Sequence, residues 1–250
     1  MSTLIFQIDI GEGTQWHKES SINTIRKVFI PSVKKYAEKY GYDYKLITES
    51  EYSKQGGDFQ FLFTKEKHFS LERYFHFAQD YDNIVYIDND VYVFVDANPL
   101  PEIKGIMNVA EPENHSSEKF RQFHPQKLIK KYFNSGVTMT QKHVAHHLQD
   151  YMQWRIKNKL KPKGKNTDNT LLNEYILKYP EFFKEISNKW NYMPFLENVQ
   201  KIRNLYKELK IDKPNFFHFV GILGKTYLLE LLKQTSDIKS VLEDVIRTQK

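Results

Sequence analysis

Apolar positions along this chain form short solid runs separated by stretches with helical spacing, a pattern that alternates strand with helix. Leu4 to Ile8 is apolar apart from Gln7 and leads into Asp9 and Gly11-Glu12-Gly13, predicting a first strand and a turn. Ile22, Ile25, Val28, Phe29, Val33, Tyr36, Ala37 and Tyr40 then recur at helical spacing. Ser20 or Ser21 is the expected cap, Pro31 a kink or restart, and Gly41 the stop. Tyr42 to Ile47 predicts a second strand and Glu49 to Phe59 a loop. Phe69, Leu71, Tyr74, Phe75, Phe77 and Ala78 predict a helix over Thr64 to Tyr81, running into the apolar strand Ile84 to Ile87. Gly105 to Ala110 predicts a further strand, and Tyr132 to Thr140 a β-prone run interrupted by Asn134-Ser135-Gly136, where backbone approaches something closely. Leu171, Leu172, Tyr175, Ile176 and Tyr179 predict an amphipathic helix capped by Asp168, a polar helical stretch runs to about Lys210, and Leu228 to Ile246 predicts a closing helix. The alternation predicts an α/β fold with a sheet flanked by helices. With no repeat and no linker, one domain over 1–250 is expected.

The segment Asn83 to Val95, NIVYIDNDVYVFV, concentrates the chemistry. Its apolar run reads as a strand buried on both faces of a parallel sheet and ends abruptly in carboxylates. Asp88 and Asp90 are two apart, so a near-extended backbone projects both to one side and Asn89 to the other. Two hard oxygen ligands at the carboxyl end of such a strand suit Mg²⁺ or Mn²⁺ carrying a phosphate. The plainer reading is a hairpin bend, since Asp and Asn are turn formers.

Composition narrows the partners. The 250 residues are 40% hydrophobic and 15% aromatic, enough for a buried core, and contain no cysteine, which excludes disulfides and thiolate metal sites. No apolar stretch approaches the roughly 20 residues of a bilayer span, and nothing at the amino terminus resembles a cleaved signal, so a cytoplasmic protein is expected. The net charge of +6 favours anionic partners such as nucleotides, nucleic acid or an acidic membrane face, the last contacted peripherally. Much of the excess lies in Lys157 to Asn166, KNKLKPKGKN, which Pro162 and Gly164 mark as a solvated loop rather than a phosphate lid.

Other motifs are weaker. Gly11 and Gly13 lack the third glycine of a dinucleotide fingerprint, and Phe219 stands where a P-loop ending in Gly224-Lys225-Thr226 needs glycine. His143 and His147 share a helix face without the glutamate of a zinc protease, so they read as surface residues. His218 ends an aromatic run and is either a packed histidine or a third metal ligand. Arg73 reads equally as a surface charge or an anion contact.

Four stretches, YDNIVYIDNDVYVF, YFNSGVTM, TDNTLLN and HFVGILGK, together resemble the GT-A glycosyltransferases, and within them the retaining, glycogenin-like family that includes bacterial galactosyltransferases. Ile30 to Leu46 is similar to the amino-terminal half of many sugar transferases. The resemblance implies a single GT-A, Rossmann-like domain with a central, mostly parallel twisted sheet. Residues 1–95 would form its nucleotide-binding half and 96–250 its acceptor half. It implies that Asp88, Asp90 and His218 hold Mn²⁺ on the diphosphate of a UDP-linked sugar. It sets Ile8 and Asp9 against the base, Asn89 near the ribose, Arg73 near the donor sugar, Asn134 near the reacting sugars and Lys225 on the diphosphate. Asp168 matches a donor-sugar ligand, and Asn169 stands where the family has a glutamine discussed as nucleophile or electrostatic support. Two departures stand out: one extra residue precedes Lys225, and Thr170 replaces a second acidic residue beside Asn169.

The expected reaction is transfer of a sugar to a glycan, lipid-linked or protein hydroxyl with retention, by front-face attack because an amide at Asn169 is too weak a nucleophile for a covalent intermediate. Were the outcome inverting, Asp168 would be the nearest base. Two rivals remain at this level. Nucleotidyl transfer also uses paired carboxylates and a metal but usually a third clustered carboxylate, for which only Asp96 is near. A basic, Tyr-rich nucleic-acid binder would show its aromatics on one face, whereas many here fall at core positions, so no nucleic-acid partner is expected.

Overall fold

The computed structural model describes residues 1–10, 25–54, 69–111, 131–158, 160, 167–193 and 215–219. Strands β1 (Thr3–Ile8), β2 (Asp43–Ile47), β3 (Asn83–Ile87), β5 (Ile106–Asn108), β6 (Val137–Gln141) and β7 (Phe183–Glu185) form one six-stranded sheet in the order β2-β1-β3-β6-β5-β7. β1 pairs in parallel with β2 and β3, and β5 with β7. β6 is antiparallel to both its neighbours, but the other three pairings leave the sheet mostly parallel, with strands from both halves of the chain. A separate pair, β4 (Val91–Val93) with β8 (Phe216–His218), is antiparallel. The helices are α1 (Ile30–Tyr40), the single turn α2 (Glu51–Lys54), α3 (Lys142–Lys157) and α4 (Thr167–Lys178).

The period-two alternation of β3 assigns its side chains to two cores. Ile84 and Tyr86, with Phe6 of β1, pack against Leu148 and Met152 of α3 and Leu171, Leu172 and Tyr175 of α4. Val85 and Ile87, with Ile5, pack on the other face against Val33, Tyr36 and Ala37 of α1, and against Trp190 and Phe216. All four β3 residues are fully buried or nearly so, and each aliphatic one contributes about 1.5–3 kcal/mol. β3 is therefore the middle of an α/β/α stack, and its carboxyl end is fixed in place from both sides.

Several expectations are refined. Pro31 sits in the first turn of α1, where its missing N–H costs nothing, after a π-helical turn Ile25–Phe29. Gly41 closes α1 in the left-handed conformation, φ 67°. The helix expected to Tyr81 is instead a 3₁₀ helix, Phe69–Phe75. Residues 71–77 are all buried, including Glu72, Arg73 and His76, so the segment has no solvent face to support an amphipathic helix. Ser20, Ser21, Gly11, Gly13, the residues 64–68, the stretch to Lys210, most of the basic loop and the closing helix Leu228 to Ile246 lie outside the described residues. Among the described residues no helix is long and apolar enough to cross a membrane.

Candidate active site

Asp88 and Asp90 lie not on an extended strand but in a turn closed by Val91 N–H donating to the Asp88 carbonyl, 3.1 Å. Nor is the turn a hairpin, because β3 and β4 on either side of it belong to different sheets. Two ladders bring partners to it. The β3–β6 pairing ends at Ile87 opposite Val137, and Asp88 N–H continues it onto the Gly136 carbonyl, 2.7 Å. The β4–β8 pairing sets Val91 opposite His218, one residue beyond Asp90. Asp88, Asp90, Gly136 and His218 thus meet by register alone.

One ligand atom from each of Asp88, Asp90 and His218 lies within 4.8 Å of the other two. His218 Nε2 is 3.1 Å from Asp90 Oδ1 and 3.8 Å from Asp88 Oδ2. Its other ring nitrogen is 2.8 Å from Asn191 Oδ1, to which it donates, so in the neutral ring Nε2 is the lone pair aimed at the carboxylates. A lone pair that close to carboxylate oxygens is satisfied by a cation between them, either a proton or a metal ion. Two carboxylates and an imidazole, spanning little more than two metal–ligand bonds of about 2.1 Å, fit Mg²⁺ or Mn²⁺.

Asp88 is held by its second oxygen. Oδ1 accepts from Arg73 at 3.0 Å and from the Tyr86 hydroxyl, which leaves Oδ2 toward His218. Arg73 is 2% exposed and fully engaged. Its second terminal nitrogen also faces Asp168 Oδ2 at 3.3 Å, the first donates to the Ser135 carbonyl and hydroxyl at 2.8 and 3.0 Å, and the plane covers Tyr86. Burial by itself disfavours the guanidinium charge, but Asp88, Tyr86 and Asp168 more than reverse this and push its pKa up. Burial, reinforced by the neighbouring Asp88, keeps the Tyr86 phenol neutral far above its ordinary range.

Ser135 joins the second carboxylate to the same cluster. Its hydroxyl donates to Asp168 Oδ2 at 2.8 Å, and both its N–H (2.8 Å) and its hydroxyl reach Asn169 Oδ1. Asp168 is one residue inside α4, with its carboxylate spent on Ser135 and Arg73 instead of the cap role expected of it. Asn173, one turn on, clasps Phe133 by N–H and C=O at 2.9 and 2.8 Å, which locks α4 to the segment before β6. Thr170 pairs with the Tyr132 hydroxyl at 3.2 Å.

The remaining expected residues surround this centre. Asn89 points the other way, donating to the Ile8 carbonyl, and its buried Oδ1 has no hydrogen-bond partner among the described residues. Asp9 adjoins it and is bidentate to Arg26 at 2.8 and 3.2 Å. Asn134 accepts from Gly136 N–H at 2.8 Å and from Asn191 at 2.9 Å, and donates to Glu111 at 3.3 Å. Lys225 lies outside the described residues. His143 is exposed and His147 bonds the Tyr175 hydroxyl at 2.8 Å, away from the carboxylates.

Sequence reasoning did not single out Tyr86, Glu111, Ser135 or Asn191. Ser135 and Gly136 were visible as a break in a β-prone run. Asn191 carried a fainter signal: a carboxamide between Trp190 and Tyr192 in a buried stretch has to be satisfied by something. Glu111 carried none.

The fold and the arrangement have known counterparts. A glycosyltransferase involved in glycosylating the major capsid of PBCV-1 superimposes with a TM-score of 0.56 at 14% identity, covering 92% of this chain and 100% of that one. The galactosyltransferase LgtC, solved with donor and acceptor sugar analogues, does so with a TM-score of 0.51 at 12% identity, covering 87% of each chain. At such identities the likeness is one of fold, the GT-A fold. No curated protein matches the chain in sequence. The description of Glycosyl transferase family 8, however, matches from residue 15 to residue 225, through every strand that builds the carboxylate centre except β1, so the chain belongs to that family and is a glycosyltransferase.

Proposed function

We propose that the chain moves a sugar from a nucleoside diphosphate donor, UDP-linked, to the hydroxyl of a glycan, lipid-linked or protein acceptor, with metal dependence and retention of anomeric configuration. The convergence of Asp88, Asp90 and the Nε2 lone pair of His218 carries this reading. Family membership sets aside the nucleotidyl-transfer and nucleic-acid-binding alternatives. A divalent cation, Mn²⁺ or Mg²⁺, held by Asp88, Asp90 and His218 would supply positive charge where negative charge grows on the departing diphosphate.

The chain's own residues do the rest. Ile8 and Asp9 flank the base, and Asn89 Oδ1, buried and without a partner among the described residues, accepts from a ribose hydroxyl. Lys225 contacts the diphosphate. Arg73 lies too deep to grip the sugar by its open face, so it acts from beneath, holding Asp88 and Asp168 beside the donor. Asn134 borders the reacting sugars.

Asn169 Oδ1 accepts from the Ser135 N–H and lies against the Ser135 hydroxyl, which argues against its attacking the anomeric carbon. Asp168, committed to Arg73 and Ser135, is poorly placed as the base of an inverting transfer. Front-face transfer follows. The bond from the anomeric carbon to the diphosphate oxygen breaks, the acceptor oxygen bonds to the same face, and its proton leaves with the diphosphate. Incubation with a panel of UDP-, GDP- and CMP-sugars, read by the anomeric coupling of the product in NMR, tests the reading: an α-linked product from an α-donor is expected, and a β-linked one would overturn retention.

A further inference from the structure

We infer that Asn191 is a positioning residue that fixes the tautomer of His218, and that the backbone N–H of Gly136 sets the polarity of the relay. The inference rests on the proposed metal site.

A backbone N–H is only a donor, so the side-chain atom of Asn134 it meets at 2.8 Å is the oxygen. That oxygen also receives the Asn191 side chain at 2.9 Å, so the atom Asn191 presents there is its NH₂. The other end of the same carboxamide, 2.8 Å from His218 Nδ1, is then the oxygen, and Nδ1 must carry the proton. Each step leaves one choice, and in the neutral imidazole the last leaves Nε2 as the unprotonated nitrogen, facing Asp88 and Asp90.

The relay is built into the fold. Asn134, Asn191 and His218 are 3%, 0% and 2% exposed, so water does not compete for these bonds. Tyr192 N–H donates to the Phe216 carbonyl at 3.0 Å and His218 N–H to the Tyr192 carbonyl at 2.8 Å, lacing the Asn191 segment alongside β8. Asn134 is anchored at its far end on Glu111. A histidine oriented through its outer nitrogen is both turned and made a better ligand, and such partners typically matter by 10–100-fold in metal affinity.

The test uses the full chain in three forms, wild type, Asn191→Leu and Asn191→Asp, with Asp90→Ala as the site control. Mn²⁺ affinity is read without donor by the electron paramagnetic resonance of free Mn²⁺, and folding by melting without metal. Asn191→Leu is expected to bind Mn²⁺ roughly 10–100-fold more weakly, whereas Asn191→Asp, which keeps an acceptor for the Nδ1 proton but sets an oxygen against Asn134 Oδ1, weakens binding less. Unchanged affinity in Asn191→Leu, or equal weakening in both variants, overturns the inference. Independently, ¹⁵N-histidine spectra of the metal-free wild type should show His218 as the Nδ1–H form, shifting toward Nε2–H in Asn191→Leu. An Nε2–H wild type overturns the inference even where a variant folds poorly. Wild type binding Mn²⁺ no better than Asp90→Ala would instead remove the metal reading, and this inference with it.

Discussion

The imidazole of His218 rests directly on the backbone of Gly136: a Cβ at that glycine would stand 2.1 Å from His218 Cε1. The same atom would be 2.8 Å from Asp88 Oδ2 and from Asn134 Oδ1. The glycine therefore holds open the space in which carboxylate and imidazole meet. Gly136→Ala should cost about 1–3 kcal/mol of stability through overpacking. It should cost Mn²⁺-dependent transfer far more, because what yields is a ligand. Comparing chemical denaturation with transferase rates checks this; a rate loss no larger than the stability loss implies would contradict it.

Arg73 is the shared counter-charge of Asp88 and Asp168, so removing it leaves two carboxylates facing one another over Tyr86. Arg73→Met should destabilise by about 3–5 kcal/mol, toward the lower figure because the Asp88 and Asp168 side chains keep 24% and 22% exposure. Arg73→Lys keeps a charge but not the fork that serves Asp88, Asp168 and Ser135 together, so it should fold and turn over slowly. Urea titration and steady-state rates separate the two.

Ser135→Ala removes the hydroxyl shared by Arg73, Asp168 and Asn169. The expected result is a fall in kcat of about 10- to 100-fold from lost positioning, with retention preserved. If the freed Asn169 or Asp168 instead altered the stereochemistry, the product anomer would reveal it.

Tyr36, Tyr44, Tyr74, Tyr86, Tyr132 and Tyr175 all have phenols raised by burial above the ordinary value of 10.0. The folded protein keeps those protons where the unfolded chain loses them, so unfolding releases protons in alkali. Their stabilising contribution is complete below pH 10 and declines as pH rises further, by about 1.4 kcal/mol per pH unit for each such phenol. Ultraviolet titration should therefore show phenolate absorbance for these tyrosines appearing with unfolding. Smooth titration of the folded protein near pH 10 would contradict their burial.

The strand ending in Asp88 was legible because four apolar residues followed by two carboxylates leave little choice of period or environment. The residues around it were less so. Register, which depends on β6 and β8 pairing from more than forty residues away, decides that Gly136 and His218 meet Asp88 and Asp90, and no local pattern encodes it. The helix expected through Arg73 failed for a related reason: its spacing reads as amphipathic, yet tertiary contacts bury every side of residues 71–77. Asp168 looked like a cap because caps are made by the same short polar side chains that serve sites.

The most direct test of the account is calorimetric titration of UDP into the wild type and Asp90→Ala, each with and without Mn²⁺. The account predicts tight binding only for the wild type with Mn²⁺ and weak binding in the other three cases. Equal UDP affinity in all four would contradict it.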